Sequence, residues 1–532
     1  EAFFLSNAHI RNLRRRNVFL CEKRFSFSTA AFIIGKNHFF GNEGCTMNFT
    51  TAHTSAGCPE AVIRFLAADT PVSFSDPALQ QAYLAVYQGD DLTLKHRQSR
   101  TLRLPFRGGF PTVLLMGFDS SCAAPFDDFR AAAASLGTAL NQLQAGTVLM
   151  DRLDQVTFAG EDQLLCQIAC PLPLSEYTFD NYLSEKKPSC DRSVTLLTDG
   201  DVQAALDEGL VLAESVCTAR DLVNELADVL TPAELGHRCR KLGEQWGFSV
   251  ELLDRQACQA LGMGLFLAVA KGSALEPCFI VMRWNGGPEG EAPIALVGKG
   301  ITYDSGGLAL KGSGMELMRY DMNGAAAVIG AMCAVADNAL PRNVVAVVAA
   351  CENMVDANSY RNGDVLRSMS GQTVFVRNTD AEGRLTMADA MTYCVRTFHP
   401  AELLEVAGLT GSVCNFFGSV CAAGLATDPA IFARLTDLTP LTGEKYAQMR
   451  YFPEYREQLK TPYADLNNSP AGGPGGILAG FFLEAFREGV PFLHVDFGAM
   501  PFASKASDGQ PAGGTGFGVK TLYHYVKARC QE

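Results

Sequence analysis

The sequence has few histidines and lacks long apolar runs. Eight histidines occur in 532 residues, and none forms the HExxH pattern that places two zinc ligands on one face of a helix. This excludes the common helix-borne zinc protease site. No uninterrupted apolar run reaches the roughly 20 residues that a membrane-spanning helix needs. We therefore expect a protein without a transmembrane segment.

Cysteine is plentiful, but closely paired cysteines are missing. The closest two of the 17 cysteines are Cys166 and Cys170, and no CxxC motif is present. The pattern excludes a zinc knuckle and a small disulfide scaffold, and favours reduced thiols in a cytoplasmic protein. The formal net charge of −13 argues against nucleic acid as the main partner.

The first 46 residues differ in composition from the rest. Six basic residues lie between Arg11 and Arg24, mixed with Phe and Ser, and the first methionine is Met47. Two interpretations stay open: an organelle-targeting leader, or sequence upstream of a start at Met47. Under either interpretation we expect residues 1–46 to be a poorly ordered basic tail.

The remaining sequence predicts an α/β protein with two domains. Residues 47–185 alternate short apolar runs with helical stretches and predict a small N-terminal domain. Residues 186–209 predict a linker, and residues 210–532 a larger catalytic domain. Its apolar strands are expected near 293–298, 344–350, 373–377, 403–407 and 492–496. Because helical patterns alternate with these strands, we predict a mostly parallel central sheet covered on both faces.

One charged turn carries two acids and an arginine at alternating positions. Asp380, Glu382 and Arg384 follow a short β-branched run and precede a helical pattern from Leu385 to Phe398. In an open α/β sheet, ligands bind at the carboxyl ends of strands. Two neighbouring carboxylates repel each other unless a cation holds them, and hard divalent cations prefer such ligands. An isolated turn of this kind would more simply be a helix cap with solvated charges.

A second charged segment lies about 75 residues upstream. It follows the apolar run 293–297 and contains Lys299, Asp304, Lys311 and Asp321. Four acids from two strand ends can enclose a pair of divalent metals that bridge an attacking water. The two motifs together favour a two-metal hydrolytic site.

These motifs resemble the signature of the leucine aminopeptidases, also called cytosol aminopeptidases. The strings that carry the resemblance are VGKGITYDSGG at 297–307, MRYDMNGAA at 318–326 and NTDAEGRLTMADA at 378–390. The resemblance extends over roughly residues 210–530. It implies that the smaller N-terminal domain has a macro-like α/β fold.

The resemblance also implies a role for each motif residue. Two divalent ions, zinc or manganese, would be bound by Lys299, Asp304, Asp321, Asp380 and Glu382. Lys311 would face the scissile carbonyl, and Arg384 would hold a bicarbonate that serves as general base. The implied substrate contacts are Met318, Asn378, Leu409, Gly411 and Met500.

The function implied by the resemblance is a metal-dependent aminopeptidase that releases Leu- or Met-like residues from the amino termini of short peptides. A homohexamer and a cytoplasmic location are expected, or an organellar location if the basic tail is a leader. Two alternatives stay open: a narrower dipeptidase, for example one that cleaves Cys-Gly, and an aminopeptidase with a secondary role in binding nucleic acid.

Overall fold

The computed structural model describes residues 46–87, 92–188, 190–506 and 510–531, which form two α/β units. The predicted basic tail lies outside the described residues, apart from its last position. The strands are β1 (Met47–Ala52), β2 (Ala61–Ala67), β3 (Ser99–Arg103), β4 (Thr112–Phe118), β5 (Thr147–Met150), β6 (Arg192–Leu197), β7 (Ser249–Leu253), β8 (Cys278–Asn285), β9 (Ile294–Asp304), β10 (Asn343–Asn353), β11 (Val365–Arg367), β12 (Thr373–Phe375), β13 (Glu402–Ala407), β14 (Ala422–Ala426), β15 (Tyr446–Gln448), β16 (Leu466–Asn467), β17 (Phe492–Asp496), β18 (Phe502–Ala503) and β19 (Gly513–Gly514).

The α-helices of the described residues are α1 (Pro77–Val86), α2 (Pro125–Leu143), α3 (Glu161–Ala169), α4 (Pro171–Leu174), α5 (Gln203–Asn224), α6 (Pro232–Trp246), α7 (Arg255–Ala260), α8 (Gly264–Val269), α9 (Asn323–Asp337), α10 (Gly383–Phe398), α11 (Gly411–Phe417), α12 (Pro429–Asp437), α13 (Thr439–Thr442), α14 (Gly475–Glu484) and α15 (Val519–Arg529). Within the described ranges, no helix is long and apolar enough to cross a membrane.

The N-terminal unit is a six-stranded sheet in the order β1-β6-β5-β2-β4-β3. Its neighbouring strands are parallel, except that β3 runs antiparallel to β4. Helices α2 and α3 pack on one face and α1 on the other, because each helix presents an apolar stripe to the sheet. The unit is the small α/β domain that the sequence predicted.

The predicted linker 186–209 is wrong as a structural unit. It contains β6, which lies inside the N-terminal sheet and pairs with both β1 and β5. The linker prediction rested on the polar residues around 186–198. The apolar side chains Val194, Leu196 and Leu197 are nevertheless buried in the N-terminal core. Helix α5, which begins at Gln203, then leads into the larger unit.

The larger unit is an eight-stranded sheet in the order β15-β14-β17-β13-β9-β10-β8-β7. Its centre, from β17 to β10, is parallel, and antiparallel pairs occur between β14 and β17 and from β10 to β7. The strands of the centre are buried on both faces. In β9, Ile294 and Leu296 face the core formed with α5, α6, α9 and α15, whereas Ala295 and Val297 face the core formed with α8, α10 and α14.

One predicted strand of this sheet belongs elsewhere. The run at 373–377 forms β12, which is three residues long and pairs with β11 and β16 in a separate small sheet. The charged turn at 378–384 therefore follows a strand of this small sheet, instead of extending from a strand of the central sheet.

Candidate active site

The site is built at the carboxyl ends of β9 and β10. Lys299 lies within β9 and Asp304 ends it, while Asn353 ends the neighbouring strand β10. Asn353 is the register partner of Asp304, and its Nδ2 donates to Oδ1 of Asp304 over 2.8 Å. Asp321 lies just before α9, so that a helix start and two strand ends meet at one place.

Asp380 and Glu382 reach the same place from the charged turn before α10. Asn353 Nδ2 also donates to the carbonyl of Thr379 over 3.0 Å, and the Tyr360 hydroxyl donates to that carbonyl over 2.7 Å. Oxygen atoms of Asp304, Asp380 and Glu382 all lie within 4.8 Å of one another. Long-range hydrogen bonds thus hold the turn against the end of the central sheet.

Lys299 lies between two of the carboxylates. Its Nζ is 2.6 Å from Oδ2 of Asp321 and 2.8 Å from Oε1 of Glu382, and the side chain is buried. Burial alone would lower the pKa of Lys299. The negative charges of Asp321, Glu382 and Asp304 outweigh burial and raise that pKa above its ordinary value. The ammonium group therefore supplies part of the positive charge that these acids require.

Lys311 pairs with the other two carboxylates. Its Nζ is 2.7 Å from Oδ2 of Asp304 and 2.5 Å from Oδ1 of Asp380. Its backbone N–H donates to the carbonyl of Ser305, which folds the loop after β9 back over the site. Burial would lower the pKa of Lys311, but the negative charges of Asp304 and Glu382 raise it above its ordinary value. The ammonium group therefore stays protonated.

The pKa values of the carboxyl groups shift in different directions. Burial, followed by the neighbouring charge of Glu382, raises the pKa of Asp304 to about 6. Burial also raises the pKa of Asp380. Burial would raise the pKa of Glu382 as well, but Lys299 and Lys311 more than offset it, and the pKa is lowered. Of these three carboxyl groups, Glu382 is the one whose pKa lies below its ordinary value.

These residues fit a divalent metal centre. Oε2 of Glu382 is buried and, among the described residues, has no hydrogen-bond partner. A buried ionised oxygen without a partner is costly, and a cation would satisfy it. A lysine can join such a centre as its neutral amine, because nearby dications repel the proton.

Arg384 makes no carboxylate ion pair among the described residues. Its buried guanidinium donates from Nη1 to the carbonyl of Asn468 over 2.7 Å, and its Nε lacks a described partner. Burial lowers the pKa of Arg384 to about 10 despite the charges of Glu382 and Asp496. Planar N–H groups thus remain available for an anion.

The five predicted substrate contacts lie on four segments. Met318 is half-buried on the 3-10 helix Met315–Tyr320, and Asn378 opens the charged turn. Leu409 and Gly411 flank the start of α11, and Met500 follows β17 and packs against the larger core. Asn323 links the segment that carries Met318 to the segment that carries Leu409. Its Nδ2 donates to the Tyr320 carbonyl, and its Oδ1 accepts the Gly408 N–H.

Sequence reasoning missed the residues that hold these segments in place, namely Asn323, Asn353, Tyr360, Asn468 and Asp496. Asp496 ends β17 and accepts the N–H of Leu409 over 3.0 Å and the hydroxyl of Thr410 over 2.6 Å. Polar residues at the ends of apolar strands were the available signal for Asn353 and Asp496. No local pattern marked Tyr360 or Asn468.

A second cluster of ligand-type side chains occurs in the N-terminal unit, at His96, Cys122 and Asp128. The N–H of Asp119 donates to Nδ1 of His96, which places the proton of a neutral ring on Nε2. That proton then points to Asp128, 3.3 Å away. The lone pair that a metal would need is therefore absent from Nε2, and internal hydrogen bonds account for the cluster.

Carboxylates and lysines gathered at the carboxyl ends of parallel strands, in a two-domain α/β chain, are the groups that a hydrolytic metal site would need. Residues 217–523 match the family model "Cytosol aminopeptidase family, catalytic domain", and residues 66–186 match "Cytosol aminopeptidase family, N-terminal domain". The chain belongs to the cytosol aminopeptidase family. It is therefore a peptide hydrolase that releases amino-terminal residues, as the motifs predicted.

Individual relatives are similar in sequence to this protein over most of its length. A protein of Clostridium perfringens named "Probable cytosol aminopeptidase" is 38% identical over 428 residues, covering 79% of this chain and 87% of the relative. A protein of Geobacter sulfurreducens with the same name is 36% identical over 496 residues, covering 90% and 97%.

A solved structure named "Bottromycin maturation enzyme BotP" is 28% identical, with a TM-score of 0.78, and covers 89% of this chain and 100% of its own. The same enzyme "in complex with Mn" gives a TM-score of 0.77 at 29% identity. Metal binding is general in the family.

Proposed function

We propose that this chain is a metal-dependent aminopeptidase that uses two divalent ions to release Leu- or Met-like residues from short peptides. The observation that carries the proposal is the convergence of Asp304, Asp380 and Glu382 within 4.8 Å, beside a buried lysine. Lys299 and Asp321 complete a set of five candidate ligands. The structural neighbour described in complex with Mn supports manganese as one candidate ion, and zinc is proposed from the family resemblance alone.

When bound, the metal ions would activate a water, polarise the first peptide carbonyl and hold the free α-amine of the substrate. An amine-binding site requires an unblocked amino terminus, which restricts cleavage to the first residue. The remaining chemistry falls to the side chains of the chain itself.

Lys311 supplies a fixed positive charge near the reacting carbonyl. It is protonated, and its position on the loop after β9 lets it stabilise the negative charge that develops on the carbonyl oxygen. Arg384, whose Nε has no partner among the residues that the structure describes, would hold bicarbonate as the acceptor of the water's proton. No histidine lies within the motifs to take that proton instead.

The first side chain of the substrate would contact Met318 and Met500. Both are half-buried, and methionine adapts to different apolar side chains. Asn378, Leu409 and Gly411 would contact the substrate backbone. Asp496 supports this assignment for Leu409, because it holds the backbone of the 408–411 segment in a fixed position.

The test is cleavage of a panel of amino-terminal amides before and after metal removal. We expect chelation to abolish cleavage of Leu- and Met-amides, and zinc or manganese to restore it, while an acetylated Leu-amide stays intact. Equal cleavage of the acetylated compound would overturn the amine-binding model. Cys-Gly belongs in the same panel, since a strong preference for it over Leu-amide would identify the narrower dipeptidase.

We further propose a cytoplasmic homohexamer in which the active sites open onto an enclosed cavity. Closed symmetric assemblies are the usual state of soluble oligomers, and enclosure would admit short peptides and exclude folded proteins. Light scattering should give about six times the monomer mass of 57.2 kDa. An active monomer at assay concentration would refute the assembly and leave the metal mechanism intact.

A further inference from the structure

Arg220 on α5 is buried and donates three hydrogen bonds to two separate segments. Its Nη1 donates to the carbonyl of Leu174 over 3.1 Å, at the end of α4 in the N-terminal unit. Its Nε donates to the carbonyl of Thr515 over 3.2 Å, and its Nη2 donates to Oε1 of Gln510 over 2.8 Å. The guanidinium also lies 5.2 Å from the ring centre of Tyr177.

These partners are carbonyl and amide oxygens, not carboxylates. Burying a guanidinium is unfavourable, and burial lowers the pKa of Arg220. The guanidinium is planar, so the directions of its N–H groups are fixed. Its hydrogen bonds therefore determine where the accepting oxygens lie. The two contacted segments are thus fixed relative to α5.

Two of those contacts lie in the loop that follows Met500. Thr515 donates from its hydroxyl to the Met500 carbonyl over 2.8 Å and from its N–H to the Pro501 carbonyl over 3.0 Å. Phe502 of the same loop stacks on Tyr320, with ring centres 5.1 Å apart. Tyr320 ends the 3-10 helix that carries Met318, so the two proposed walls of the substrate pocket touch through this stack.

A second side chain of α5 holds the same loop. Oδ1 of Asn224 accepts the N–H of Gly514 over 2.7 Å. A Cβ on Gly513 would lie 2.4 Å from that oxygen, and a Cβ on Gly514 would lie 2.9 Å from Val223. The glycines allow the loop backbone to lie directly on the helix, one turn away from Arg220.

We propose that Arg220 and Asn224 are positioning residues, which hold residues 500–506 and 510–516 against α5 and so determine which first side chain the enzyme accepts. The inference rests on the proposed function, because it assumes that Met500 lines the substrate pocket. If the inference holds, the shape of the substrate pocket depends on α5, a helix that is not proposed to contact the substrate. Through Leu174, it also makes the pocket depend on how the N-terminal unit is docked.

The experiment compares Arg220→Ala, Asn224→Ala and Thr515→Val with wild type, on Gly-, Ala-, Leu- and Met-amides in the metal-loaded full chain. Arg130→Ala is the matched control. Arg130 is a largely buried arginine that joins the two units by donating to the carbonyls of Pro440 and Leu441. Its hydrogen bonds with described residues do not reach 500–506 or 510–516. Thermal melting and metal content are measured for every variant.

We expect the preference for Leu over Gly, measured as the ratio of kcat/KM values, to fall about tenfold in Arg220→Ala and Asn224→Ala. The loss should come from KM, with kcat for Gly-amide changed by less than about threefold. Thr515→Val should move the ratio in the same direction, because it removes the hydroxyl that holds Met500. Arg130→Ala should keep the wild-type ratio even if it melts earlier.

An unchanged ratio in Asn224→Ala and Thr515→Val, with metal bound, would overturn the inference even if Arg220→Ala did not fold. An equal fall in Arg130→Ala would overturn it too, because general loosening of the two units would then explain the effect. A wild-type protein that cleaved none of the amides would instead reject the proposed function, so the two failures are distinguishable.

Discussion

The stem of Lys299 lies directly against the backbone of Gly383. A Cβ on Gly383 would be 2.3 Å from Cε of Lys299 and 2.9 Å from its Nζ. Gly383 follows the proposed ligand Glu382 and begins α10, so the close contact fixes the distance between the central strand β9 and the charged turn. A Cβ on Gly324 would be 2.7 Å from the backbone nitrogen of Lys299. Glycines therefore lie against both the side chain and the backbone of this lysine.

Gly383→Ala should lower metal content and activity. Alanine in a helix is ordinarily more stable than glycine by about 1 kcal/mol. Here the added methyl group would displace the buried Lys299 from Asp321 and Glu382. We expect at least about a tenfold loss of metal affinity, measured by metal titration. Gly160→Ala is the control, because nothing lies within 4 Å of a Cβ at that position. Full metal occupancy in Gly383→Ala would contradict the role of this contact.

Lys311→Ala should lower kcat far more than it raises KM. The contact strengthens as negative charge develops, so its loss is felt mainly in the transition state. Removing one such donor typically costs about 2.7–4 kcal/mol, which corresponds to roughly 10²–10³ in rate. Steady-state kinetics on Leu-amide measure the effect, with the exposed Lys271→Ala as control. Normal turnover with weakened binding alone would refute this role for Lys311.

Asn468→Ala should weaken metal binding although Asn468 is not a proposed ligand. Its Oδ1 accepts the N–H of Arg377 over 2.9 Å, and its Nδ2 donates to the carbonyl of Asn378 over 2.7 Å. Loss of residues that orient metal ligands commonly costs about 10–100-fold in affinity. Metal titration of the variant checks this, with the neighbouring Asn467→Ala as control. Unchanged metal affinity in Asn468→Ala would show that the charged turn holds its shape without this side chain.

Asp389 should make the protein less stable as the pH rises towards neutrality. This buried carboxyl accepts the N–H groups of Leu265, Phe266 and Met369, and burial raises its pKa from 3.8 to about 7. Because the pKa of Asp389 is higher in the folded state, its contribution to the free energy of unfolding is complete below about pH 4. That contribution is lost as the pH rises through about 7, by up to about 4 kcal/mol.

Melting temperatures of wild type and Asp389→Asn between pH 5 and 8 measure this contribution. Asparagine does not titrate, so the stability of wild type relative to the variant should fall across the range. The acceptor oxygen lost in Asp389→Asn changes the stability of the variant by an amount that does not vary with pH. A difference that stayed constant with pH would contradict the raised pKa.

The sequence determined the elements and the chemical groups of the site. The strands expected near 293–298, 344–350, 403–407 and 492–496 correspond to β9, β10, β13 and β17, and were predictable because they are apolar runs. The continuation of β9 through 299–304 was not predicted as strand. The helices at 323–337 and 383–398 were predictable from apolar residues at helical spacing. The acids and lysines of the two motifs stood out because charge directly after an apolar strand is uncommon unless a ligand or a helix cap explains it.

Only the tertiary structure decided which elements share a sheet and what holds the site together. β6 pairs with β1, about 145 residues earlier in the chain, and β12 pairs in a small separate sheet. Asn468 reaches the turn at 377–381, and Arg220 reaches a loop almost 300 residues away. Hydrophobic periodicity is a local property of the chain, so it specifies strands, helices and their buried faces. A hydrogen bond between distant segments depends on where the packed cores bring their backbones, and no local pattern contains that information.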